Sequence, residues 1–221
     1  MTASIGTNSR LSKISVAEAI YYIAFSLHFF TYVLENTMFE EFLFIPVASL
    51  TKAIQVTVIL LLVMKFLSQR ASFAGWALAA IVVMVGFISW RQSGEGYLFW
   101  LALFVVCSDG IKLKPLATIV FVLTSVMFTL TVAFAYMGII EDVLLRRGLA
   151  YRHSLGFSHP NNVGLFLLIL CTSFSIIRFG KNPLPDIILI LLAAAFNLAL
   201  ADSRTAAVMS LVQIIFLLIF Y

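Results

Sequence analysis

Apolar runs of about twenty residues, the length a helix needs to cross a bilayer, recur from one end of this chain to the other. Only short polar breaks separate them. With 62% hydrophobic and 11% charged residues among 221, the apolar surface exceeds what a soluble core could hide. The runs are continuous and do not alternate, so they point to helices and not to the strands of a membrane barrel. The sequence therefore predicts an all-α, polytopic integral membrane protein. No repeat, low-complexity tract or linker divides it, so residues 1–221 read as a single helical membrane domain.

Eight segments can be drawn. They run over Val16–Leu34, Phe42–Met64, Ala71–Trp90, Tyr97–Ser108, Leu116–Ile140, Val163–Phe179, Asp186–Ala201, and from Thr205 to the end. The fourth is short for a full crossing. The first is long, holds Glu18 and His28, and runs into Glu35-Asn36-Thr37 without a small-residue cleavage site, so it reads as an uncleaved anchor. A cytoplasmic amino terminus places Arg10, Lys13, Lys65, Arg70, Lys112, Lys114, Arg178 and Lys181 inside. It leaves Arg91, Arg146, Arg147, Arg152 and Arg204 outside. That excess agrees with the positive-inside rule. Every loop lysine then lies inside, and every outer basic residue is arginine. Topology alone is one account of this split. The other is that the outer arginines hold an anion, since the guanidinium fork suits phosphate or carboxylate better than a point charge does.

Several ordinary chemistries find no footing. There is no phosphate-binding glycine loop, zinc spacing or nucleophile elbow. Asp109 and Asp186 stand alone, so neither a metal nor another cofactor is expected. No basic cluster interleaved with aromatics suggests nucleic acid. Cys107 and Cys171 lie in apolar segments and read as small buried hydrophobes, not as a disulfide.

Polar residues at the outer membrane boundary draw the most attention. The loop from Glu141 to Asn162 is the longest outer connection. It ends in Tyr151-Arg152-His153-Ser154-Leu155-Gly156-Phe157-Ser158-His159-Pro160-Asn161-Asn162. Pro160 disfavours helix at His159, and Asn161 or Asn162 can cap the helix that follows. Such an end offers free N–H groups to a phosphate, with Arg152 and His153 close if the loop folds back. A solvated loop with a proline-asparagine cap is the plainer account. The second stretch is Ala201-Asp202-Ser203-Arg204-Thr205. Asp202 or Ser203 can cap the last helix, which sets Arg204 in its first turn. The helix dipole disfavours a cation there unless an anion answers it, and Asp202 or a ligand could be that anion.

Polar residues inside the spans read mainly as helix-packing groups. These are Glu18 and His28 in the first, Asn197 in the seventh, and Lys52 with Ser49, Thr51, Gln55 and Thr57 in the second. Positions 48, 52 and 55 share a helical face expected to turn into the bundle. Ala71, Gly75 and Ala79 form a small-residue stripe expected at a helix contact.

Arg152-His-Ser-Leu-Gly-Phe-Ser-His-Pro-Asn-Asn-Val-Gly164 at the start of one span, followed some forty residues later by Asp202-Ser-Arg-Thr205 at the start of another, resembles the bacterial polysaccharide repeat-unit polymerases. These are the Wzy-type enzymes of the O-antigen ligase and polymerase superfamily. The resemblance covers Gly148–Leu211; elsewhere only hydrophobic spans correspond. It implies a GT-C-like membrane glycosyltransferase, independent of metal, in the bacterial cytoplasmic (inner) membrane. Such an enzyme would join repeat units carried on undecaprenyl diphosphate into exopolysaccharide, capsule or O-antigen, beside flippase and chain-length regulator proteins. Carried over by position, Arg152 and Arg204 become a diphosphate clamp and His159 a candidate base or sugar contact. Asn161 becomes a positioning residue, with His153, Asn162, Ser203 and Arg147 as further substrate contacts. Members of the family are usually nearly twice as long, so the resemblance also implies an N-terminal portion that is inactive alone. An O-antigen-type ligase, and a non-enzymatic transporter subunit or scaffold, are the alternatives.

Overall fold

A computed structural model describes residues 14–41, 46–70, 72–147 and 150–220. Among the described residues, eight α-helices dominate: α1 (Val16–Glu35), α2 (Val47–Leu67), α3 (Phe73–Ser93), α4 (Tyr97–Val106), α5 (Leu113–Tyr136), α6 (Pro160–Arg178), α7 (Leu184–Phe196) and α8 (Arg204–Phe220). Six are long and apolar enough to cross a bilayer, counting α7 with its continuation to Ala201. The chain is thus a predominantly helical, multi-pass membrane protein. Two predicted spans are shorter: α4 has 10 residues and α8 has 17. The expected start of the second span, Phe42, lies outside the described residues.

The loop after α5 departs from the all-helical expectation. It folds into an antiparallel hairpin of β1 (Leu144–Arg147) and β2 (Ala150–His153), in which Leu145 faces Arg152 and Arg147 faces Ala150. The chain also divides into two compact units: Met1–Ile23 with Leu61–Ile111, and Ala24–Leu60 with Lys112–Tyr221. No linker marks the division, because α1 and α2 each run through it.

In the first unit α3 lies against α4. A methyl group on Gly86 would come within 2.9 Å of Phe99 Cα, so only glycine allows this approach. Trp90 stacks on Phe99 with ring centroids 5.2 Å apart. The expected stripe does not mediate packing: Gly75 and Ala79 are exposed or half-buried, and Ala71 lies outside the described residues. Glu18 sits in the first turn of α1. It forms a capping box at the start of α1, where Ser15 N–H donates to Glu18 Oε2 at 2.7 Å and Glu18 N–H donates to Ser15 Oγ at 3.1 Å. Lys65 is buried, and its Nζ donates to the Asp109 carbonyl at 2.9 Å. Cys107 and Cys171 are free and buried, as expected.

The second unit is built around aromatic rings. Phe157, in the loop after β2, is fully buried and stacks on Phe166 of α6 at 5.2 Å, with Phe128 of α5 at 5.5 Å. This draws the loop down onto the bundle. Leu155 and Gly156 take left-handed backbone, and a methyl on Gly156 would meet the Thr131 carbonyl of α5 at 2.9 Å. Helix α6 spans 19 residues, about 28 Å. At its far end Arg178 Nε meets the wholly buried Asp186 of α7 at 3.1 Å. Asp186, which stands isolated in the sequence, is therefore paired. Helix α7 returns along α6 and ends in one π-helical turn, Asn197–Ala201, before Asp202 reverses the chain.

Candidate functional site

The hairpin, the first turn of α6 and the α7–α8 turn meet at one end of the second unit. Side chains alternate across a strand, so the register puts Leu145, Arg147 and Arg152 on one face of the hairpin. Leu144, Arg146, Tyr151 and His153 take the other. The two arginines of the first face reach the α7–α8 turn. Arg152 Nε donates to the Ala201 carbonyl at 2.8 Å. Its Nη2 donates to Asn161 Oδ1 at 2.6 Å. Arg147 Nη1 lies 3.2 Å from the Asp202 carbonyl and 3.4 Å from its Oδ2.

The turn itself is shaped from within. Asn197 is buried; its Nδ2 donates to the Ser203 carbonyl at 2.9 Å, and its own carbonyl accepts the Asp202 N–H at 2.8 Å. Those bonds force Asp202 into left-handed backbone at φ 43°, a conformation that aspartate tolerates better than most residues. The Asp202 carboxylate then stands between two guanidinium groups, 3.4 Å from Arg147 and 3.8 Å from Arg204 Nε. Arg204 opens α8, as expected, and is the most open of the three, with its side chain 71% exposed. Arg147, Arg152 and Arg204 thus ring a single turn.

Other expected site residues fall elsewhere. Ser203 is buried and faces α6, where a methyl on Gly164 would come within 2.9 Å of Ser203 Cβ. Asn162 gives its Nδ2 to Asn36 Oδ1 at 3.1 Å and Ser158 Oγ at 3.0 Å. It is a strut. Neither asparagine caps α6. His159 does, in extended backbone, with Nδ1 accepting the Asn161 N–H at 3.1 Å. That bond leaves the ring proton of neutral His159 on Nε2, a donor, so a base role would require breaking the cap. His153 points away from the arginine face, its Nδ1 2.6 Å from Asp142 Oδ2. Asp142 Oδ1 also takes the Leu155 N–H at 2.7 Å and so fixes the exit from β2.

Asn36 and Asp142 carried no sequence signal that set them apart. Asn36 sits in a visible polar triplet after α1, yet nothing there announces a tie to residues more than a hundred positions away. Among the described residues, no group of three or more His, Cys, Asp or Glu side chains could hold a metal ion. Set against protein-family models, curated proteins and solved structures, the chain matches none. Function must therefore be argued from the site.

Proposed function

We propose that this protein is a membrane glycosyltransferase that polymerises oligosaccharide repeat units carried on undecaprenyl diphosphate. The observation that carries the reading is the ring of Arg147, Arg152 and Arg204 around a turn whose own carboxylate already lies between two of them. A pair of guanidinium groups preset around one carboxylate is suited to the oxygens of a diphosphate. In the proposed arrangement the amino terminus is cytoplasmic, all eight helices belong to the membrane domain, and the hairpin lies at the outer face of a bacterial cytoplasmic membrane.

In the reaction, an acceptor hydroxyl attacks the anomeric carbon of the donor sugar. The bond from that carbon to the phosphate oxygen breaks, the lipid diphosphate departs with the electron pair, and the proton of the acceptor hydroxyl passes to an oxygen of the departing diphosphate. Negative charge grows on the leaving oxygen, and fixed guanidinium groups lower that barrier. Arg204, exposed, meets the diphosphate. Arg147 exchanges Asp202 for it. Arg152 holds the turn through Ala201 and Asn161, so it positions the other two. His159 offers Nε2–H to a phosphate or sugar oxygen.

The test is removal of the gene from its host and return of single variants, with surface glycan resolved by electrophoresis and mass spectrometry. Loss of the gene should leave glycans one repeat unit long, and the unaltered gene should restore the ladder. Glycan of full repeat number that fails to reach its final carrier would instead mark a ligase acting on the same donor. An unchanged ladder without the gene rules out both activities and leaves a transporter subunit or scaffold.

A further inference from the structure

A groove of about 290 Å³ lies between the end of α1, the short 3-10 turn Met38–Glu41 and the first turns of α2. Its wall carries Glu35, Glu40, Lys52 and Gln55, with Leu34 and Val47 beneath. Leu34 and Val47 are buried, whereas Glu35, Glu40 and Lys52 are exposed. The face of α2 holding Ala48, Lys52 and Gln55 thus turns into an open groove and not into the packed bundle. The volume lies near the lower bound of ligand pockets, about 300–1,000 Å³. Two carboxylates against one ammonium disfavour an anion. Acceptors, an ammonium, an amide and an apolar floor together match a ligand with many hydroxyls on one edge and C–H groups on its face.

The groove is tied to the arginine site by hydrogen bonds. Met38 N–H donates to the Gly156 carbonyl at 2.9 Å, and Ser158 N–H to the Asn36 carbonyl at 3.0 Å. Asn162 holds Asn36, while its neighbour Asn161 holds Arg152. One helical turn therefore braces Asn36, next to the groove residues Glu35 and Thr37, with one residue and the arginine turn with the next. A donor at the arginines and an acceptor in the groove would share a single hydrogen-bonded support, which would limit their movement relative to each other.

We infer that this groove is the acceptor subsite, binding the terminal sugar of a glycan through Glu35, Glu40, Lys52 and Gln55. The assignment rests on the glycosyltransferase reading for the name of the ligand, not for the existence of the groove. Glu35 and Glu40 accept hydrogen bonds from sugar hydroxyls, and Lys52 and Gln55 donate to ring and hydroxyl oxygens.

The experiment uses the full chain in lipid nanodiscs and two probes. One is the single repeat unit of the host's surface glycan, freed of lipid by mild acid; the other is inorganic pyrophosphate. The double variant Glu35→Gln/Glu40→Gln should weaken glycan binding tenfold or more and leave pyrophosphate binding within twofold. Lys52→Met, a change at an exposed side chain, provides a second arm and should weaken glycan binding several-fold. Glycan held equally well by both variants rejects the groove, and pyrophosphate binding by the same samples leaves the function standing. A wild type blind to pyrophosphate rejects the function, and the glycan titration still judges the groove. Glycan binding abolished merely by adding phosphatidylethanolamine to the discs would make the groove a headgroup site and overturn the assignment.

Discussion

Arg152 of the hairpin donates its Nε–H to the carbonyl of Ala201, 49 residues further along the chain, at 2.8 Å. Arg152 is buried and also holds Asn161, so it works as the keystone of the turn and not as its open face. Arg204, two residues beyond Asp202, has the opposite character.

This difference predicts that two conservative substitutions will separate. Arg152→Lys cannot keep both bonds and should lose at least one charge-assisted hydrogen bond, about 1.5–3 kcal/mol of stability. Arg204→Lys should melt like the wild type in detergent and still lose most pyrophosphate affinity. Both should abolish polymer. A full-length ladder from either variant would refute the proposed roles.

In the proposed function, the Asp202 carboxylate occupies the place between Arg147 and Arg204 that a diphosphate would take. Asp202→Asn removes the charge between Arg147 and Arg204 and should raise pyrophosphate affinity several-fold, most clearly at low salt, where such pairs are least screened. The Ala201 carbonyl remains to hold Arg152, so the turn should survive. Titration calorimetry reads the affinity; a fall would show that the carboxylate instead organises the turn.

Gly164 permits α6 to touch the start of α8. In Gly164→Ala the added methyl would lie 2.6 Å from Ala206 Cβ and 2.8 Å from Asn197 Oδ1. Overpacking of this kind costs about 1–3 kcal/mol. Here it also pushes Asn197 off the Ser203 carbonyl. Thermal melts should fall and pyrophosphate binding with them; an unaltered melt would mean the helices separate freely.

The far end of the second unit should respond differently. Asp186→Asn leaves Arg178 with no carboxylate in a buried setting, a change that costs about 3–5 kcal/mol when one partner of a buried pair is lost. Arg178 is only 25% exposed, so solvent recovers a small part of that. Stability should drop while pyrophosphate affinity of the folded fraction holds. Comparable loss of affinity would mean that the two ends are coupled.

Sidedness has its own measurement. With Cys107 and Cys171 buried, a cysteine placed at exposed Ser158 should react with a membrane-impermeant maleimide added to whole cells. One placed at exposed Lys181 should react only after lysis. The reverse pattern would put the arginine turn in the cytosol and end the glycosyltransferase proposal.

The helices were legible because their cause is local. Lipid demands that backbone groups bond within each segment, so an apolar run of the right length declares a helix. The structure's α1, α3, α5, α6 and α7 begin and end within a few residues of the expected spans. The position of Arg204 was legible for the same reason: between two apolar runs, Asp202 and Ser203 leave no room for anything but a turn. What the sequence alone could not determine depends on register and on distant partners. Four-residue strands carry too little alternation to reveal that Arg147 and Arg152 share a face while His153 turns away. Nothing near Asn161 says that it will hold an arginine, or near Asn36 that Asn162 will hold it. Hydrophobicity acts on each segment by itself, whereas a hydrogen bond between residues far apart exists only once packing of Phe157 on Phe166 has brought their segments together.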